Sequence, residues 1–150
     1  YKAVTMRQKE RQNMRDPNCI FCKIIGEEIP STVVYEDQWF RAILDVSPAA
    51  RGHVIILTKN HVPNLYDLPE EEASRIMIVA KRIACALKKA YHCDGVNILQ
   101  NNGEAAGQTV FHFHVHVIPR FRDDSINIKW EPGSMPEDPA VIADEIRANM

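Results

Sequence analysis

Three histidines stand at alternate positions in Phe111-His-Phe-His-Val-His-Val-Ile118. Successive side chains of a β-strand point to opposite faces. A strand here therefore puts His112, His114 and His116 on one face, with neighbouring rings roughly 7 Å apart. Phe111, Phe113, Val115 and Val117 take the other, apolar face. The chemistry open to such a row is narrow. A purely structural role needs a hydrogen-bond partner for every buried ring, because unpaired polar groups are costly away from water. A catalytic metal site is the second reading, since His-x-His on a strand with a third histidine is a common zinc arrangement. Nucleophilic catalysis is the third, with one neutral imidazole attacking near pH 7 while its neighbours hold a phosphate.

The residues leading into this row favour an anion. Asn101-Asn-Gly-Glu-Ala-Ala-Gly-Gln-Thr109 runs directly into the histidines. Gly103 and Gly107 allow backbone conformations closed to other residues, so consecutive N–H groups can turn toward a phosphate. Gln108 and Thr109 add side-chain donors. A second cluster stands at Cys19-Ile-Phe-Cys22. C-x-x-C is a metal knuckle if two further ligands converge on it, and a redox pair in a βαβ setting. The helix-after-strand context of the redox motif is missing here.

Charge and composition narrow the class. The 150 residues are 45% hydrophobic and 25% charged, with a formal net charge of −2. That is ordinary for one globular domain and carries no broad footprint for nucleic acid or a membrane surface. No apolar run approaches transmembrane length, and no signal peptide is visible. Four cysteines without a disulfide-like framework fit reduced thiols and a cytoplasmic protein.

The elements that position these residues follow from periodicity. Residues 1–15 are polar and charged and read as an N-terminal extension. Residues 16–26 read as a short helical turn closed by Gly26. Strands are expected at 32–36, 39–46, 53–58, 95–100 and 111–118. A long helix begins at Pro69, with Glu70, Glu71 and Glu72 at the positive end of its dipole. Ile76, Val79, Ile83, Leu87 and Ala90 mark its buried stripe, and Cys85 is expected on it as a small core residue. Lys81, Arg82, Lys88 and Lys89 form a solvated face, and His92 lies exposed near the helix end. Asp138 and Pro139 read as the cap and first position of a last helix, 139–149. Strands, a long helix and then paired strands give an α+β domain with a mostly antiparallel sheet of five strands.

Gly107-Gln-Thr-Val-Phe-His-Phe-His-Val-His-Val-Ile118 resembles the signature of the histidine triad (HIT) nucleotide-binding family, H-φ-H-φ-H-φ-φ with φ apolar. Cys19 to Pro30, Tyr35-Glu-Asp37, Leu44-Asp-Val-Ser-Pro48, Gly52-His-Val54, Lys59-Asn-His61 and Asn101-Asn-Gly103 follow in family order, and the whole is similar to the bacterial Hint-type branch. The resemblance implies a HIT-like fold over 16–150, with a core at 16–120 and a tail at 121–150. It also implies a homodimer whose sheet continues across the interface. It implies a hydrolase or transferase acting on purine nucleotide conjugates through a nucleotidyl-histidine intermediate, or else a nucleotide-binding regulatory dimer with vestigial catalysis. His114 becomes the nucleophile, with His116, Thr109 and Gln108 at the phosphate and His53 as a fourth histidine beside them. Asp45 matches the ribose-binding carboxylate. Phe21, Ile24, Ile43 and Val46 match the base pocket, and Asn101 and Gly107 match phosphate-side contacts. In zinc-containing members the partners of the C-x-x-C pair correspond to His61 and His112. The implied cofactor is a structural Cys2His2 zinc on Cys19, Cys22, His61 and His112.

Overall fold

The computed structural model describes residues 14–150. The expected N-terminal extension lies outside them except for Met14 and Arg15. A short helix α1 (Ile20–Ile25) precedes three strands, β1 (Val33–Glu36), β2 (Phe40–Leu44) and β3 (Val54–Thr58). The long helix α2 (Glu70–Tyr91) follows, then β4 (Gly95–Leu99), β5 (His114–Arg120) and a last helix α3 (Pro139–Ala148). The five strands form one sheet in the order β1-β2-β3-β5-β4. Every neighbouring pair is antiparallel.

Strict alternation divides the sheet into two faces. Phe40, Ala42, Val54, Ile56, Val115 and Val117 pack against Ile76, Val79, Ala80, Ile83 and Leu87 of α2. That stripe repeats at three-to-four spacing, as a helix lying on a sheet requires. Ile43, Ile55 and Leu57 face the other way and pack with Ile24 and Ile25 of α1. His114 pairs with Leu57 and His116 with Ile55 across β3 and β5, so both imidazoles lie on the α1 face. Burying one Ile, Leu or Phe stabilises the fold by about 1.5–3 kcal/mol. The two apolar layers therefore hold the histidine strand from both sides.

Several expectations are corrected. The histidine strand begins at His114, not at 111, because Phe113 N–H turns aside to the Val62 carbonyl at 2.6 Å. Phe111 is consequently 44% exposed rather than on the apolar face, while Phe113 is fully buried. Cys85 is exposed and Ala90 lies outside the buried stripe. The rest of the expected stripe, Ile76, Val79, Ile83 and Leu87, is buried, joined by Glu72 and Ala80. Pro69 is the cap of α2 rather than its first residue. The second strand stops at Leu44, leaving Asp45 and Val46 in the following turn. The C-terminal helix forms as its cap predicts, with the Asp138 carboxylate accepting from Ala140 N–H at 2.9 Å. It buries none of its residues. No described helix is long and apolar enough to cross a membrane.

Candidate functional site

Two clusters of ligating side chains meet at the start of β5. The first is the knuckle. Cys19 caps α1, so the helix's first turn brings its sulfur close to that of Cys22, and the Cys22 N–H donates to Cys19 Sγ at 3.5 Å. Asp16 N–H donates to Cys22 Sγ at 3.3 Å. His61 arrives from the turn after β3, and His112 from the residues just before β5. Cys22 Sγ lies 3.3 Å from His61 Nδ1, and His112 Nδ1 lies 3.5 Å from both sulfurs. All four donor atoms fall within 4.8 Å of one another. A tetrahedral zinc with bonds of ~2.0–2.3 Å sets its ligands ~3.3–3.8 Å apart, so the spacing fits that ion.

The tautomers agree with this reading. His112 Nε2 lies 2.8 Å from the Thr58 carbonyl, which has only lone pairs to offer, so Nε2 carries the proton. The Nδ1 lone pair is left aimed at the two sulfurs. An imidazole ligand held through its other nitrogen by a backbone carbonyl is the usual support of a metal ligand. His112 is fully buried, and burial holds its pKa down to about 4. Burial likewise pushes the Cys22 thiol up to about 11. A divalent cation reverses that tendency by coordinating the thiolate.

The second cluster lies on the other side of His114. His53 precedes β3 and His116 lies within β5; His53 Nε2 approaches His116 Nδ1 at 2.9 Å. Asp45 Oδ2 lies 3.6 Å from the same His53 nitrogen. Asp45, His53 and His116 thus also converge closely enough for a metal. Here the backbone argues against one. Ala49 N–H donates to His53 Nδ1 at 3.0 Å, which places the remaining proton of a neutral His53 on Nε2, facing His116. A nitrogen that bears a proton has no lone pair for a cation. The cluster is a proton-sharing chain: Ala49 N–H to His53, His53 N–H to His116. His116 Nε2 is left as an N–H donor.

His114 sits between the two clusters with the opposite polarity. Its Nδ1 lies 2.7 Å from the carbonyl of His112, so Nδ1–H donates and Nε2 keeps its lone pair. The Phe21 ring packs edge-on against His114 at 5.1 Å and the His116 ring lies at 5.0 Å. Burial lowers the pKa of His114 and of His53. It brings His116 to about 4, with the neighbouring His114 and His53 adding to the effect. All three imidazoles are therefore neutral at pH 7. One row of histidines offers a lone pair at His114 and an N–H at His116, side by side.

The loop from Asn101 to Gln108 takes the shape its glycines allow. Gly103 and Gly107 both have positive φ, at 88° and 86°. Asn101 reaches across it, its Nδ2 donating to the Gly107 carbonyl at 3.3 Å. Gln108 corrects an expectation. Its side chain is not a free donor to an anion, because it is buried and already engaged. Its Oε1 accepts from Gly103 N–H at 2.8 Å, and its Nε2 donates to the Pro63 and Val110 carbonyls at 2.6 and 3.1 Å. It locks the loop. Thr109 is exposed beside it. Among the residues expected at the base, Phe21 is half-buried, Ile24 and Ile43 are closed into the core at 8% and 2% exposure, and Val46 is 90% exposed. The Asp45 carboxylate accepts from Ser47 N–H at 2.8 Å through Oδ1.

Three contributors escaped the sequence reading. Arg41 is buried in β2, donates to the Ile24 carbonyl at 3.0 Å and pairs with Glu36 at 2.9 Å, clamping the end of α1 to the sheet. The Thr58 carbonyl and the Ala49 amide fix the two tautomers. Backbone groups leave no signature in side-chain type, so no motif could have named them. Arg41 alone had a signal, a lone cation in an otherwise apolar strand.

Comparisons with known proteins agree with this geometry. The model of the HIT domain family matches residues 26–123. Adenosine 5'-monophosphoramidase HNT1 of Saccharomyces cerevisiae is 47% identical over 109 residues, which are 73% of this chain and 66% of that protein. The crystal structure of a HIT family protein from Bacillus anthracis superposes with a TM-score of 0.84 at 41% identity, covering 91% of this chain and 99% of that one. A zinc-bound histidine triad family protein from Mycobacterium smegmatis superposes with a TM-score of 0.70 at 41% identity, covering 77% and 84%. Identity of this level across most of the fold, on top of a histidine row whose tautomers the backbone itself sets, makes this chain a member of the HIT family.

Proposed function

We propose that the protein is a hydrolase or transferase that attacks the α-phosphate of purine nucleotide conjugates through His114. The observation that carries this reading is the 2.7 Å hydrogen bond from His114 Nδ1–H to the His112 carbonyl, which leaves Nε2 as a lone pair in a neutral ring. A neutral imidazole so oriented is a nucleophile at pH 7. Nε2 forms a bond to the α-phosphorus as the bond to the leaving group breaks; an amine leaving group takes its proton from solvent. Water then cleaves the His114–phosphorus bond, releasing the nucleotide and restoring the neutral ring. His116 Nε2–H donates to the phosphate oxygens where charge gathers, which is how such transfers are chiefly accelerated. Thr109, Asn101 and Gly107 flank the same phosphate. Asp45 accepts from the ribose hydroxyls, and Phe21 and Val46 contact the base, with Ile24 and Ile43 as the buried support behind them. His53 holds the His116 tautomer.

The activity in the name of the yeast relative supports adenosine phosphoramidates as the first substrates to try. Cys19, Cys22, His61 and His112 would hold a zinc, supplying a structural tie between α1 and the histidine strand with no position left for a reacting water. The zinc-bound mycobacterial relative supports that assignment. The protein acts as a homodimer in this reading.

Intact-mass spectrometry tests the proposal. Wild type and His114→Ala are mixed with an adenosine phosphoramidate and quenched without acid. The expected result is a transient adduct of one AMP on wild type and none on the variant. Tight AMP binding by both, with no adduct and no turnover, would replace this proposal with a nucleotide-binding dimer.

A further inference from the structure

Residues 61–65, in the connection between β3 and α2, bring His61 to the knuckle and then bond to three other places in succession. The Val62 carbonyl accepts from Phe113 N–H at 2.6 Å. The Pro63 carbonyl accepts from Gln108 Nε2 at 2.6 Å. Leu65 N–H donates to Asn102 Oδ1 at 2.8 Å. Asn102 is itself held, because its amide pairs reciprocally with that of Gln100 at 2.6 and 3.0 Å.

These three partners are the immediate chain neighbours of the groups assigned to the reaction. Phe113 separates His112 from His114, Gln108 separates Gly107 from Thr109, and Asn102 follows Asn101. The turn therefore grips the glycine loop at both ends and the histidine row at its start. Its own first residue is His61, whose Nδ1 lies 3.3 Å from Cys22 Sγ. A thiol is a weak hydrogen-bond donor, whereas a bond from each to one metal ion fixes both the ring and the sulfur. Whatever orders His61 orders the turn, and the turn orders the loop. Two ligands that share one ordered segment are coupled, since the first to bind bears the entropy cost of ordering it and the second does not.

We infer that residues 61–65 couple the metal knuckle to the loop 101–108, with Asn102 as the positioning residue that makes the link, so that a bound zinc raises the affinity for the nucleotide's phosphate. The inference rests on the reaction and the zinc proposed above and adds to them an affinity set by the metal. Asn102 acts through Asn101 beside it, and Gln108 acts in the same way on Gly107 and Thr109. Coupling free energies of this kind change affinity by about 5–150-fold, and about tenfold is expected here. Helix α1 offers zinc a second route to the substrate, through the Phe21 ring against His114, but that route bypasses the loop amides.

The test titrates AMP calorimetrically into the zinc-loaded and the metal-free full chain, and follows hydrogen exchange at the Gly103 and Gln108 amides, both of which are bonded within the loop. Wild type is expected to bind AMP about tenfold more tightly with zinc, which should slow those two amides as well as the amides of α1. In Asn102→Ala zinc should still slow α1 but not the loop, and the ratio of the two Kd values should fall. Asn102→Asp, which keeps an oxygen facing Leu65 N–H, should regain the wild-type ratio whatever its charge does to the affinity itself. The wild-type exchange result decides the matter by itself if Asn102→Ala does not fold. Loop amides indifferent to zinc in wild type, or the same ratio in wild type and Asn102→Ala, overturns the inference while leaving the reaction at His114 standing. A chain that takes up no zinc overturns it together with the knuckle, and one that binds AMP in neither state overturns it together with the proposed reaction.

Discussion

With zinc in the knuckle, as proposed, removing it would separate the two jobs a metal at the histidine row could do. Helix α1 is only six residues long, too short to be stable by itself. Ile24 and Ile25 bury against the sheet, stabilising the contact by about 3–6 kcal/mol together. Fixing six residues costs about 6–12 kcal/mol of backbone entropy, a difference that the Arg41 clamp and a metal in the knuckle would share. An ion present at a thousand times its dissociation constant contributes about 4.1 kcal/mol. For a chain of this size each kcal/mol moves the melting temperature by about 2–4 °C, so chelation is expected to lower it by about 8–16 °C. Amides of residues 20–25 should exchange faster, and trypsin should gain access to the bond after Lys23. Initial rates taken within seconds of chelator addition should stay near those of untreated protein and then decay as α1, with Phe21, leaves His114. The assay is stopped-flow turnover set beside hydrogen exchange and a thermal scan. Immediate loss of turnover with unchanged exchange at α1 would refute the reasoning and make the metal catalytic. Unchanged melting, exchange and turnover in metal-free protein would refute the knuckle itself.

Two other expectations follow from the same geometry. Burial holds His116 near 4, against about 6.5 for a free imidazole, so the unfolded chain binds a proton between those values that the folded chain does not. The stability due to His116 is therefore present above pH 6.5 and lost as pH falls toward 4, and kcat/KM should stay level through pH 6.5 with its acid limb below. In His53→Leu that limb should move up, because His116 loses a neighbouring ring and a fixed tautomer, whereas His53→Gln, which can still donate to Nδ1, should restore part of the wild-type profile; pH-rate curves of the three proteins decide it. Gln108→Ala strips the loop of three hydrogen bonds and leaves the Gly103 amide without its partner, so a loss of about 2–3 kcal/mol is expected in urea unfolding, with KM raised more than kcat is lowered.

Residue types and their spacing determined a good deal. Period-two alternation at 114–118 was enough to place His114 and His116 on one face, because a strand offers no other arrangement. The Asp138 cap of α3 and the stripe of α2 were legible for the same local reason. Asp138 and Ile76 interact within a turn or two of themselves. The ligands of the knuckle were nameable only through resemblance, since 39 residues separate Cys22 from His61 and 90 separate it from His112. What tertiary structure alone decided is which nitrogen of each ring carries the proton. That depends on the Thr58 carbonyl, the His112 carbonyl and the Ala49 amide, groups that every residue possesses and that only the folded chain brings to a particular ring. The same holds for Gln108, a donor by type whose donors the fold had already used. Sequence supplied three imidazoles in a row; the backbone around them leaves a lone pair on Nδ1 of His112, a lone pair on Nε2 of His114 and an N–H on Nε2 of His116.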